Sequence, residues 1–238
     1  MKRLTKIILK NILKVPYFFG MLYYYDAHKT DENIEKRYAL LRRIVKHATK
    51  SGQIEIAVYG RENIPTDQSF IFYPNHQGIF DGFAMLEACP LIFSPVIKQE
   101  LMHYPVVKQI FSNMLSMPMD RSDLKQSMKV MVEVAKRVKN GDNCLIFPEG
   151  TRSKNGNQLG EFKGGSFKPA LKAKCPIVPV ALIDSYKPFD QEQKGPITVQ
   201  VHILNPIPYE AYGTMKTGEI ADMVKKMIEE TISANSNE

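Results

Sequence analysis

Cysteine is scarce in this 238-residue chain. Cys89, Cys144 and Cys175 stand far apart, odd in number and without metal-ligand spacing. They exclude a zinc site and read as small buried hydrophobes in a reducing compartment. Apolar runs of membrane-spanning length are also missing from the N-terminal fifty residues, where the longest uncharged stretch, Val15 to Tyr25, has 11 residues and is too short to cross a bilayer as a helix. No small-residue cleavage site follows it, so it does not read as a signal peptide. Low-complexity segments and internal repeats are absent. Acidic residues are sparse at one end only: residues 1–50 hold 12 Lys/Arg against 4 Asp/Glu, whereas residues 51–238 hold 20 against 21. The formal charge of +7 therefore belongs to the first fifty residues. That argues against a nucleic-acid-binding core and for a basic segment facing an anionic surface.

An apolar fraction of 44% is ample for a core, and the length suits one large α/β domain with a small appendage. The division expected is a helical, membrane-associating segment over residues 1–52 and an α/β domain over 53–238. Leu4, Ile8, Ile12, Val15, Phe19 and Leu22 recur at steps of three or four, one face of a helix, with Lys2, Lys6, Lys10 and Lys14 opposite. Pro16 should kink or divide that helix. Lysines on one face, large apolar residues on the other and a Tyr23-Tyr24-Tyr25 end fit a helix lying in a membrane interface. The same pattern also fits a helix packed on its own domain with its lysines in water. A second helix is expected from Asp31 to about Lys50, acidic at its start, basic at its end and stopped by Gly52.

Beyond it, strands alternate with helices, which implies a mixed, largely parallel sheet covered by helices. Strands are expected at Ile54–Tyr59, Ser69–Tyr73, Ser94–Lys98, Met117–Met119, Cys144–Phe147, Ile177–Leu182 and Ile197–Ile203. Helices are expected from Gly82 to about Ala88, Glu100 to Leu115, Asp123 to Asn140, Ser166 to Lys174 and Thr217 to Ile232. In the third of these, Met128, Met131, Val132, Ala135 and Val138 should form the buried face.

Two stretches carry chemistry. The apolar Ser69–Tyr73 run opens into Pro74-Asn75-His76-Gln77-Gly78-Ile79-Phe80-Asp81, a polar turn at the C-terminal end of a strand, where open α/β sheets place their ligands. His76 in the turn and Asp81 on the first helical turn lie within mutual reach, and the carboxylate would fix the imidazole tautomer. A turn histidine beside a helix-starting aspartate, each present for local reasons, satisfies the same spacing. The second stretch, Pro148-Glu149-Gly150-Thr151-Arg152, follows a buried strand with an acid, a glycine that allows close backbone approach, a hydroxyl and a guanidinium fork suited to phosphate. A surface turn with a solvated arginine is its bland counterpart.

Together, Asn75 to Asp81 and Phe147 to Arg152 resemble the 1-acylglycerol-3-phosphate acyltransferase family. Their order and separation match, as do Met117-Pro118-Met119-Asp120-Arg121, Pro176-Ile177-Val178-Pro179-Val180 and the placement of Lys98, over residues 54–205. The resemblance implies direct transfer of an acyl chain from an acyl-carrier-protein or coenzyme A thioester to a glycerol-phosphate hydroxyl, with lysophosphatidic acid as acceptor and phosphatidic acid as product. It implies that His76 is the general base, held by Asp81, and that Lys98, Arg121 and Arg152 bind the phosphate. It also implies that Glu149 orients the site or meets the glycerol, and that Gly150 and Thr151 belong to the same substrate-binding turn. No cofactor or metal is called for, and the acyl chain should run in an apolar channel opening toward the N-terminal helices. The location implied is the cytoplasmic face of the cell membrane, held peripherally or monotopically. Members often carry serine two residues after the histidine, where Gly78 stands here, so one supporting hydrogen bond is missing from that position. Glycerol-3-phosphate or another lysolipid as acceptor, a thioesterase-like hydrolase and a pure membrane-interaction module are the competing readings.

Overall fold

The computed structural model describes residues 3–236, so Lys2 of the predicted cationic face lies outside the described residues. Three helices come first: α1 (Arg3–Lys10), α2 (Val15–Ala27) and α3 (Ile34–Gly52). The helix expected to carry Pro16 is divided at residues 11–14. Pro16 then sits in the first turn of α2, where its missing N–H leaves no helical bond unmade. Helix α3 runs through Gly52, and Gln53 takes the left-handed closing conformation (φ 55°). A Cβ on Gly52 would lie 2.9 Å from Ile7 Cδ1, so glycine there permits α1 to approach.

The body contains strands β1 (Ile54–Tyr59), β2 (Ile71–Pro74), β3 (Ser94–Lys98), β4 (Met117–Met119), β5 (Cys144–Leu145), β6 (Ile177–Ile183) and β7 (Ile197–Ile203). Its helices are α4 (Asp81–Ala88), α5 (Val107–Asn113), α6 (Leu124–Lys139), α7 (Lys168–Ala173), α8 (Lys187–Asp190), α9 (Tyr209–Tyr212) and α10 (Thr217–Asn235). The strands make one seven-stranded sheet in the order β1-β7-β6-β2-β5-β3-β4. All neighbours are parallel except β6 and β7. The C-terminal ends of β2 to β6 therefore share one edge.

Alternation along the strands builds two cores. Phe70, Phe72, Val178, Val180 and Leu182 face α1 to α4, joined by Ile7, Phe18, Leu22, Tyr38 and Leu41. Ile71, Tyr73, Ala181 and Ile183 face the opposite side with Val134 and Val138 of α6 and Val224 and Ile228 of α10. Full burial of one such aromatic or aliphatic side chain contributes roughly 1.5–3 kcal/mol.

Two helical expectations are corrected. The Glu100–Leu115 helix is broken into a 3-10 segment, Gln99–His103, and α5. Pro105 disfavours helix in the residue before it, and Val106 takes φ 68°. In α6, capped by Asp123 through its bonds to the Lys125 and Gln126 N–H groups, the buried residues are Val134, Ala135 and Val138. Met128 and Val132 of the predicted buried face are 57% and 50% exposed.

Most of the apolar stripe of the first two helices points outward, Leu22 excepted. Leu4, Ile8, Ile12 and Phe19 are exposed, as are Leu9, Leu13 and Tyr17, while Ile7, Phe18 and Leu22 hold the helices to the body. Lys6 reaches back to Gln53 and Lys14 to His47, so the stripe is not the face packed on the domain. Among the described residues no helix is long and apolar enough to cross a membrane.

Candidate active site

Strand β2 ends at Pro74, and its last register is continued by a side chain. The Asn75 Oδ1 accepts from the Leu182 N–H at 2.7 Å and its Nδ2 donates to the Leu182 carbonyl at 3.0 Å. This clamp on β6 fixes where the next residue leaves the sheet. His76 Nδ1 lies 2.7 Å from Asp81 Oδ2, with Asp81 as the first residue of α4 and 1% exposed. The same Oδ2 accepts from the Gln77 and Gly78 N–H groups at 2.7 and 3.0 Å, and Oδ1 accepts from the Ser185 hydroxyl at 2.6 Å. Four donors converging on one buried carboxylate offset its desolvation. A carboxylate can only accept, so Nδ1 carries the imidazole proton and Nε2 presents its lone pair. Phe147 stacks on the ring with centroids 4.1 Å apart.

Glu149 grips the same turn from β5. Its Oε1 accepts from the His76 N–H at 2.7 Å and its Oε2 from the Gly160 N–H at 2.9 Å, and the side chain is 2% exposed. Burial pushes this carboxyl above its ordinary range; the two N–H donors and His76 offset part of that shift. A Cβ on Gly160 would lie 2.6 Å from Oε2, so only glycine lets the loop close over the carboxylate. Gly150, at φ 69°, uses the left-handed region that glycine tolerates. Lys163 Nζ lies 3.3 Å from the point where a Cβ would stand on it.

Two cavities flank this turn. The first, about 390 Å³, is apolar in its walls, among them Val96, Met119, Met128, Met131 and Phe147, and its polar groups include Arg121 and Lys163. It lies on the α6 face, opposite the N-terminal helices toward which an apolar channel is expected to open. The exposed side chains of α6 that were expected in the core, Met128 and Val132, form its wall. The second cavity, about 450 Å³, is polar and lined by Gln77, Arg152, Lys154, Tyr186 and Asp190.

The predicted residues thus fall into three groups. His76, Asp81, Glu149 and Gly150 meet around one turn. Arg121 borders the first cavity and Arg152 the second, where Arg152 pairs with Asp190 Oδ1 at 3.3 Å. Lys98 is exposed beside Glu100 at 2.8 Å, and exposed Thr151 lines neither cavity. Asn157, Gly160 and Lys163 belong to the glycine-rich loop 153–165 that the sequence places beside the site, whereas Ser185 and Asp190 are not anticipated. Ser185 has one signal, position: it lies just past the C-terminal end of β6, the edge where such sheets carry their chemistry.

A family model described as "Acyltransferase" matches residues 55–183. The chain is 31% identical over 190 residues to 1-acyl-sn-glycerol-3-phosphate acyltransferase alpha of Homo sapiens, covering 78% of this chain and 66% of that protein. It is also 31% identical over 150 residues to 1-acyl-sn-glycerol-3-phosphate acyltransferase of Borreliella burgdorferi, covering 62% of this chain and 59% of that one. The chain thus spans less than two thirds of the length of each of these relatives. Among solved structures, the 1-acyl-sn-glycerophosphate acyltransferase PlsC of Thermotoga maritima superposes with a TM-score of 0.77 over the whole of both chains at 22% identity, a likeness of fold.

Proposed function

We propose, for a chain that belongs to the acyltransferase family, that it moves a fatty acyl group from an acyl thioester to the sn-2 hydroxyl of 1-acyl-sn-glycerol-3-phosphate, giving phosphatidic acid. The observation that carries this reading is the 2.7 Å His76–Asp81 contact at the sheet edge, beside an apolar cavity bordered by cations. Nε2 of His76 takes the proton of the acceptor hydroxyl as that oxygen attacks the thioester carbonyl. The C–S bond breaks, the proton passes from the imidazolium to the departing thiolate, and free carrier thiol leaves. Asp81 holds the ring and stabilises its positive form. Glu149 holds the backbone of His76 and Gly160 through its two carboxylate oxygens. Arg121, Lys163, Arg152 and Lys98 supply the positive charge that attracts the phosphate and aligns the hydroxyl. The donor is a coenzyme A or acyl-carrier-protein thioester.

The test offers glycerol-3-phosphate, lysophosphatidic acid and an uncharged lysolipid in competition, with both thioesters in parallel, and identifies the products by mass. Phosphatidic acid should dominate. Acylation of glycerol-3-phosphate or of the uncharged lysolipid in preference would refute the acceptor assigned here.

The apolar cavity takes an acyl chain. Replacing Met131 by Trp should reduce kcat/KM for long-chain thioesters about tenfold, since losing contact for two methylenes costs about 1.6 kcal/mol, and short-chain thioesters much less. Equal loss across chain lengths would contradict this assignment.

The outward stripe of α1 and α2 rests in the membrane interface, at the cytoplasmic face of the cell membrane. Leu9, Ile12 and Leu13 are exposed, so their joint replacement by glutamate leaves the core intact. Co-sedimentation with anionic vesicles should fall roughly tenfold or more, given about 0.8 kcal/mol per buried methylene. Unchanged binding would show that this stripe is not the contact.

A further inference from the structure

We propose that Ser185 is a positioning residue for His76, acting through Asp81. Strand β6 ends at Ile183, and the next residue, Asp184, takes φ 62°, a left-handed conformation that aspartate adopts more readily than most residues with a Cβ. A set of polar contacts maintains it. Asn157 Oδ1 accepts from the Asp184 N–H at 2.9 Å, Asn157 Nδ2 donates to Asp184 Oδ1 at 3.0 Å, and Lys187 Nζ donates to Asp184 Oδ2 at 2.7 Å. This turn delivers Ser185, whose N–H donates to Gln77 Oε1 at 2.8 Å and whose side chain is wholly buried. Its hydroxyl then lies 2.6 Å from Asp81 Oδ1, the length of a strong charge-assisted bond.

That bond is the second point of attachment of the carboxylate. Oδ2 carries His76 Nδ1 and two backbone donors, and Oδ1 carries Ser185. Together they fix the rotation of the carboxylate and with it the plane of the imidazole. Position 78 is a glycine and supplies no hydroxyl. A Cβ there would lie 2.4 Å from Asp190 Oδ2, which would have to move, and 3.2 Å from Tyr186 Cα; the hydroxyl comes from the turn after β6. The consequence for turnover rests on His76 being the base proposed above, whereas the geometric consequence does not.

The test compares wild type, Ser185→Ala and Ser185→Thr in detergent, measuring kcat and KM for lysophosphatidic acid and the proton NMR resonance of His76 Nδ1–H, assigned by its loss in His76→Gln. Ser185→Ala should lower kcat about tenfold with KM within twofold, and should shift or broaden the Nδ1–H resonance. Ser185→Thr, which keeps the hydroxyl, should stay within threefold of wild type and keep the resonance. An unmoved resonance in Ser185→Ala overturns the proposal, whether kcat is preserved or falls. A wild type that makes no phosphatidic acid refutes the acyl-transfer reading, and the resonance still decides the role of Ser185.

Discussion

Replacing Glu149 by alanine is expected to destabilise the protein by about 2–6 kcal/mol, because two shielded N–H donors lose their acceptor at about 1–3 kcal/mol each. One belongs to His76 and the other to Gly160, so the damage falls on the turn that presents the imidazole, and turnover should fall with stability. Gly160→Ala should reproduce part of the effect by pushing the carboxylate aside with its Cβ. The pH dependence has a definite sign. The unfolded carboxyl titrates near 4.5 and the folded one higher, because burial disfavours its charge. Between those values the folded state holds the extra proton, so this group's contribution to stability falls as pH rises through the interval. Its penalty is fully present only above the folded pKa. Denaturation of wild type and Glu149→Gln at pH 4 and pH 7 should therefore show the stability difference moving against wild type as pH rises. A difference that moves the other way would contradict the burial argument.

Replacing His76 by alanine is expected to lower acyl transfer by roughly 10²–10⁴-fold, the usual contribution of a general base. The fold should survive. His76 contributes its backbone to the turn through Glu149 and Ser153, and alanine keeps both bonds. Its ring is partly exposed, so its removal leaves no sealed cavity. The alanine variant also leaves the Asp81 carboxylate with its two backbone donors and Ser185, still satisfied within a buried site. KM for lysophosphatidic acid should change little, since the cations that attract phosphate stand elsewhere. A variant with wild-type turnover would exclude His76 as base.

The His76–Asp81 pair was legible because both partners lie within one turn, where spacing and helix start constrain geometry. Family resemblance over four blocks then gave the pair its chemistry. The role of Glu149 was not legible. Its partner is the backbone of a residue 73 positions away, and only the pairing of β5 beside β2 brings them together. Ser185 left even less trace, as a lone hydroxyl after an apolar strand. The strand alternation predicted most of the sheet, but not that β7 would run antiparallel to β6 while pairing parallel with β1.

Amphipathic stripes tell which residues avoid water without telling what covers them. On α6 the stripe predicted to be buried is divided between the core and the wall of a cavity. On α1 and α2 it faces outward from Leu4 to Ile12 and at Phe19, and the attachment is made by Leu22 of that stripe together with Ile7 and Phe18 off it. Arg37 is a further case: it is 1% exposed on α3, a burial that the charge pattern of that helix did not indicate.

The most direct test of the account is the dependence of carrier-thiol release on the acceptor. Purified protein in detergent micelles is given an acyl thioester with and without lysophosphatidic acid, while thiol, free fatty acid and phosphatidic acid are followed together. Thiol release should require lysophosphatidic acid and equal phosphatidic acid formed, one for one. Thiol released at the same rate without acceptor, with free fatty acid as the product, would contradict this and make the protein a hydrolase.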